Sequence, residues 1–234
     1  MEDFDAAFAI AIGMIGSADP ALLEIVVLSL KVSAAAVLLA ALVGLPLGAL
    51  LAVARFPGRR AVVVALNALM GLPPVVAGLA IYLLLSRSGP LGELGLLFTP
   101  GAMVLAQAVL IAPILAALAR QVLEGLWEEY AEQLRSFGAG PWRAVPSLLF
   151  DGRFALSTVL LAGFGRASAE VGAVMIVGGN IEGFTRVMTT AIALETSKGN
   201  LPLALALGVV LMAIVLTVNA AVQVLRDAAA RRAA

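Results

Sequence analysis

EGLWEEYAEQLRSFGAGPWRAVPSLLFDGR, residues 124–153, is the longest polar interruption in a chain that is otherwise mostly hydrocarbon. Its first half carries Glu124, Glu128, Glu129, Glu132 and Arg135 together with Trp127, Tyr130, Leu134 and Phe137. Those four apolar residues recur at helical spacing, so the pattern predicts a short helix with one greasy face and a charged remainder. Phe137-Gly138 ends that helix, because glycine tolerates the left-handed backbone that closes a helix C-terminus. Ala139-Gly140-Pro141 reads as a turn, and Pro141 opens a second short helix through Trp142, Arg143 and Leu149. Patterning alone leaves two readings of this helical hairpin: a connector resting on a membrane surface, or a docking site for a partner.

The flanks decide the class. Of 234 residues, 62% are hydrophobic and only 13% charged, more apolar surface than a soluble domain of this length can hide. The chain belongs in a lipid bilayer as one membrane domain over residues 1–234. It has no cysteine and no histidine, which excludes disulfides, thiolate chemistry, most zinc sites and histidine proton relays. The net charge is zero, so bulk charge points to no nucleic acid. Residues 1–5 are acidic and lack the basic start of a secretory signal, so no cleavage is expected.

Residues 4–16 are apolar but short of the roughly 20 needed to cross, and they read as an interfacial segment. The first span covers residues 25–54, with Lys31 placed to snorkel, a bend expected at Gly44-Leu45-Pro46, and Gly44 and Gly48 spaced for close helix approach. Span two covers residues 61–85 and contains Gly71-Leu72-Pro73-Pro74. Pro73 and Pro74 remove two backbone donors at membrane depth, which fits either a plain kink or a pathway lining. Span three covers residues 101–119, with Gln107 and Pro113 inside it. Span four, residues 154–177, places Arg166 and Glu170 four apart on one helix face, either as a buried packing pair or facing a pathway or gate. Residues 183–199 are too polar for a clean span. Asn200-Leu201-Pro202 reads as a cap opening span five, residues 201–225.

Placing the Arg55–Arg60 turn, the polar loop and the C-terminal tail on one side gathers ten of the fifteen basic residues there. By the positive-inside rule that side is cytoplasmic, which puts the N-terminus outside and the C-terminus inside. The central hairpin then faces the cytoplasm.

No G-x-x-x-x-G-K-[ST] loop is present, nor a nucleophile with a base, nor a carboxylate cluster for a metal. The chain is not expected to hydrolyse ATP, and energy for active transport would come from a partner or an ion gradient.

Glu132 and Gly138, six residues apart, with Ala139-Gly140-Pro141-Trp142-Arg143 after them, resemble the EAA loop of ABC importer permeases. Gln133 and Leu134 stand where that loop has two alanines, and Phe150-Asp151 where it has Leu-Pro. Residues 163–200 resemble the fourth-span and outer-loop region of oxyanion importer permeases, tungstate-type nearest and molybdate-type next. The matching elements are Arg166, Glu170-Val171-Gly172-Ala173, Gly178-Gly179-Asn180-Ile181, Thr185-Arg186, Thr189-Thr190-Ala191-Ile192 and Glu195-Thr196-Ser197-Lys198-Gly199. Leu72-Pro73-Pro74-Val75-Val76-Ala77-Gly78 is similar to the span-two segment of the same permeases.

The resemblance implies an all-α, type I, molybdate-permease-like fold of about five transmembrane helices in a prokaryotic cytoplasmic membrane. It implies a homodimer, two copies of a cytoplasmic ATPase that binds ATP and magnesium, and an extracytoplasmic substrate-binding protein. This chain itself would bind no cofactor. Residues 124–153 would couple to the ATPase through Glu129, Glu132, Leu134, Phe137, Gly138, Ala139, Pro141, Trp142 and Arg143. Pro73, Pro74, Arg166, Glu170, Asn180, Thr185, Arg186, Thr189 and Thr190 would line the pathway or gate. An ion-coupled secondary transporter and a non-transporting membrane scaffold remain the alternatives from other classes.

Overall fold

The structure, a computed structural model, describes the backbone of residues 2–233 and the side chains of residues 8–224. The acidic start and the arginines of the tail lie outside the described side chains. Among the described residues the fold is all-helical: α1 (Glu2–Gly16), α2 (Pro20–Val53), α3 (Arg59–Met70), α4 (Pro74–Leu85), a 3₁₀ turn at Gly92–Leu94, α5 (Pro100–Ser136), α6 (Pro141–Asp151), α7 (Arg153–Ser168), α8 (Gly172–Gly178), α9 (Met188–Lys198) and α10 (Leu201–Ala233). Three helices, α2, α5 and α10, are long and apolar enough to cross a membrane. The number reaches five if the bent pairs α3–α4 and α6–α7 each make one span.

The spine is the parallel pair α2 and α5. Both start with a satisfied cap and proline in the first turn: the Asp19 carboxylate accepts from Ala21 and Leu22 N–H, and the Thr99 hydroxyl from Ala102 N–H. Gly44 and Gly48 make the close approach. A Cβ at Gly44 would lie 2.9 Å from Ala112 O, and one at Gly48 would lie 2.7 Å from Ala116 O. The small-residue spacing therefore does bring two backbones together. α2 runs through Pro46, and α5 through Pro113, without a break in either helix.

The sequence pattern predicts a short helix beginning near Glu124; instead α5 is one helix of 37 residues. At about 55 Å it is far longer than the ~30 Å hydrocarbon layer, so its C-terminal third has to leave the membrane. The helix continues because residues 120–136 contain no proline and only Gly125 as a weak helix former. Its inward stripe also continues, through Ala119, Leu123, Trp127 and Ala131, onto Ala49, Ala52 and Val53 of α2 and Ala144 and Leu148 of α6.

Two spans expected to be continuous are broken. At Gly71–Pro73 the chain bends by 100° between α3 and α4, more than a kink, because Pro73 and Pro74 supply no N–H to bridge the turn. The stretch 154–177 divides into α7 and α8 at Ala169–Val171, so Arg166 and Glu170 do not share a helix face. The two breaks pack together: a Cβ at Gly78 of α4 would sit 2.7 Å from Ala173 Cα in α8. α1 lies against α10 and the start of α2, with Ala11 buried beside Leu22, Val26, Ala206 and Leu207.

Candidate functional site

The polar hairpin closes as its residues require. α5 ends at Ser136, and Gly138 takes φ +76° so that its N–H donates to Arg135 O and that of Ala139 to Leu134 O. Pro141 occupies the first turn of α6. The greasy face of the first helix divides. Trp127 is buried, with Arg135 stacked 5.4 Å from its ring, and Leu134 and Tyr130 are half-buried. Phe137 is 79% exposed, Trp142 61% and Phe150 65%, so the hairpin shows solvent three aromatic side chains, the last with the Arg153 guanidinium 4.0 Å from its ring. Glu129, Glu132, Pro141 and Arg143 are exposed around them, and Ala139 is half-buried. Phe150 had no assigned role in the sequence; its place one helix turn beyond the surface-facing Pro146–Ser147 pair was the available signal.

The arginine turn lies at the same end of the molecule. Arg59 Nη2 donates to Glu124 Oε1 at 2.6 Å and Arg59 Nε to Leu51 O at 2.8 Å, while Arg120 pairs with the other oxygen of Glu124. One carboxylate thus ties the α2–α3 turn to α5 where both leave the apolar core.

At the α7–α8 break, Arg166 Nη1 donates to Glu170 Oε2 at 2.7 Å. Glu170 is 3% exposed, and its Oε1 accepts from Ala173 N–H at 3.0 Å, so the same carboxylate caps α8. Arg166 is 34% exposed, leaving the rest of its guanidinium accessible. Thr189 Oγ1 donates to Glu170 O at 2.7 Å, and Gln107 Nε2 donates to Ala167 O at 3.0 Å. Four side chains from α5, α7, the break and α9 therefore hold this break. In the sequence Gln107 stands out only as a polar residue in an apolar span, the one amide there. Its Oε1 is buried without a partner. Pro73 is exposed and Pro74 half-buried at the neighbouring break.

The loop after α8 is held by its own hydrogen bonds, although Asn180 Oδ1 and Arg186 Nε are buried without a partner. Thr185, fully buried, donates to Gly178 O at 2.6 Å and accepts from Ile181 N–H at 2.9 Å. Thr190 Oγ1 accepts from Val187 N–H at 3.1 Å, and Asn180 Nδ2 reaches Thr190 O at 3.4 Å. Arg186 lies against Glu182 at 3.4 Å, in a small pocket that Glu24 also lines. Residues 188–198 form a helix, α9, whose Glu195 is buried and receives Lys198 Nζ and Asn200 Nδ2, each at 2.9 Å. Asn200, expected to cap α10, spends its amide on Glu195. Those donors, Lys198 first and Asn200 second, hold the Glu195 carboxyl below the ordinary carboxylate range. The structure thus gathers Arg166, Glu170 and Thr189 at one place and Asn180, Thr185 and Thr190 at another. The hairpin residues form a third, separate group.

No protein-family model matches the chain. It is 39% identical over 227 residues to a tungstate uptake system permease of Peptoclostridium acidaminophilum, covering 97% of this chain and 100% of that one. It is 43% identical over 206 residues to a probable anion ABC transporter permease of Haloferax volcanii, 85% and 88% covered. A molybdenum transport system permease of Escherichia coli is 33% identical over 178 residues, 72% and 77% covered. Similarity of that extent, on an all-helical chain with three to five candidate membrane spans, shows that the protein belongs to the anion permeases of ABC transporters, the multi-pass subunits embedded in the cytoplasmic membrane.

Proposed function

We propose that this chain is the membrane-spanning subunit of an ATP-driven importer that moves an oxyanion, tungstate foremost, into the cytoplasm by alternating access. The observation that carries the proposal is the exposure of Phe137, Trp142 and Phe150 along a hairpin whose first arm is a rigid continuation of α5. Exposed aromatic side chains on charged helices suit a protein partner. Here the partner is the cytoplasmic ATPase, two copies serving a dimer of this chain, with ATP and magnesium bound in the ATPase and not in this subunit. An extracytoplasmic binding protein delivers the anion near residues 183–199.

In this arrangement the N-terminus is outside and the C-terminus cytoplasmic. The five spans are α2, the bent pair α3–α4, α5, α7 with α8, and α10; α7 is joined here with α8 rather than with α6, which belongs to the hairpin and rests on the cytoplasmic surface. Because α5 is one helix, closure of the ATPases on the hairpin moves the α2–α5 spine directly. The far end of that movement is the layer where α4 and α8 begin, with Arg166, half-buried and paired with Glu170, beside it. Pro73, Pro74 and the Asn180–Thr190 loop complete the pathway and its outer gate. The ATPase must bind the two states with different affinity for ATP to shift them. The tungstate assignment rests on the 39% identity over a full-length tungstate uptake permease; the 33% identity to a molybdenum permease supports molybdate as the alternative substrate.

The test is uptake of labelled tungstate by vesicles holding this chain with its ATPase and binding protein. Uptake is expected to require ATP, with competition by molybdate weaker than by unlabelled tungstate and by sulfate weakest. Uptake that survives without ATP and collapses with an ionophore would make the chain a secondary transporter.

A further inference from the structure

We propose that the cleft where α2, α5 and α6 meet is a binding site for the phosphate of an anionic phospholipid. The cleft has a volume of ≈ 480 Å³ and is walled by Leu50 and Val53 from the last turn of α2, Arg55 after it, Trp127 and Arg135 from α5, and Trp142 from α6. Its charge is uncompensated. Arg59 and Arg120 share Glu124, but among the described residues neither Arg55 nor Arg135 has a carboxylate partner. Arg135 lies two helical turns beyond Trp127, yet its guanidinium folds back to 5.4 Å from the indole. That brings the cation to the level where α2 leaves the apolar core.

Two guanidinium groups without a carboxylate partner suit a phosphate, which accepts paired N–H bonds. The apolar wall of Leu50 and Val53 suits the glycerol end of an acyl chain, and the two indoles suit the headgroup layer. An acidic protein surface would match the arginines but not the aliphatic wall. The site rests on the membrane placement proposed above; it shares Trp142 with the docking face, whereas Phe137 and Phe150 do not line it. Basic clefts between helices at the cytoplasmic face are where anionic lipid headgroups settle.

Trp127 and Trp142 are the protein's only tryptophans, so its own fluorescence reports on this cleft. The full-length chain is reconstituted in phosphatidylcholine vesicles containing a fixed fraction of brominated phosphatidylglycerol or brominated phosphatidylcholine. Brominated phosphatidylglycerol is expected to quench about twofold more strongly, as a lipid enriched at the cleft must. In the Arg55→Gln, Arg135→Gln double variant the two lipids should quench equally. Unchanged quenching by brominated phosphatidylcholine would show that the variant still folds and inserts. Equal quenching in the unaltered chain, or a preference that survives in the double variant, would overturn the proposal. So would lipids that quench equally while added ATPase shifts the emission, since the cleft would then be a protein contact. Both leaflets carry the same lipid, so an inverted orientation leaves this result unchanged and fails a separate labelling test.

Discussion

Glu195 shows how much a single buried carboxylate can organise. Lys198 and Asn200 both donate to it, so it ties the last turn of α9 to the entry of α10. Its folded pKa is depressed, so its contribution to stability is complete above the unfolded value of about 4.3 and is lost as pH falls through the folded value. Glu195→Gln should therefore lower the melting temperature at neutral pH, and the difference from the unaltered chain should vanish in acid below that window. A pH series of thermal unfolding in detergent checks this; a constant difference at all pH values would refute the carboxylate's role. Glu170 does comparable work in the apolar layer, joining Arg166 to the first turn of α8. The sequence showed that these two residues are four apart, but not that the helix ends between them. An unbroken helix would also let Arg166 meet Glu170, but only the turn at Ala169 lets the same carboxylate accept from Ala173 N–H, which spacing on an ideal helix cannot reveal.

Among the elements, α5 carries the most consequence. Its contact with α2 depends on Gly48, whose added Cβ would meet Ala116 O and Ala119 Cβ, both backbone-anchored and unable to move aside. Gly48→Val should cost about 1–3 kcal/mol as overpacking, visible as a lower melting temperature and loss of monodisperse protein in detergent. At the other end, Gly138 holds φ +76° with nothing near its missing side chain, so only backbone strain opposes a substitution. Gly138→Val should distort the hairpin at a cost of ~1–2 kcal/mol without disturbing the apolar core. In vesicles containing the ATPase, uptake should fall by about tenfold while ATP hydrolysis persists, the scale that free-energy cost implies. Normal uptake by this variant would remove the hairpin from the coupling step. The hairpin's existence, its glycine turn and its second helix were legible because glycine and proline act locally. The continuity of α5 was not, since a helix crossing from lipid to water changes its residue types without changing its backbone.

At the scale of the molecule, orientation is the property to measure. The chain has no cysteine, so single substitutions report accessibility without background. Arg143→Cys, on the hairpin, should react with a membrane-impermeant thiol reagent only from the cytoplasmic side. Glu182→Cys, at a site 84% exposed after α8, should react only from outside. The reverse pattern would invert the topology read from the arginines. The structure agrees with those arginines in one respect: Arg59 and the hairpin's Glu124 meet, so the α2–α3 turn and the hairpin share an end of the molecule.

Composition by itself determined that this chain belongs in a membrane, because so much apolar surface has no other home. Its Gly44–Gly48 spacing allowed a close helix contact, and its Pro73–Pro74 pair marked span two for a kink or a pathway lining. These are consequences of solvation and local backbone geometry, which act residue by residue. Only the tertiary structure decided that the breaks before α4 and α8 stack on each other and that Gln107 and Thr189 brace the second. It alone brought Arg55 and Arg135 to one cleft with both tryptophans. Those meetings join residues far apart in the chain, and their geometry follows from how helices pack, which no local pattern encodes.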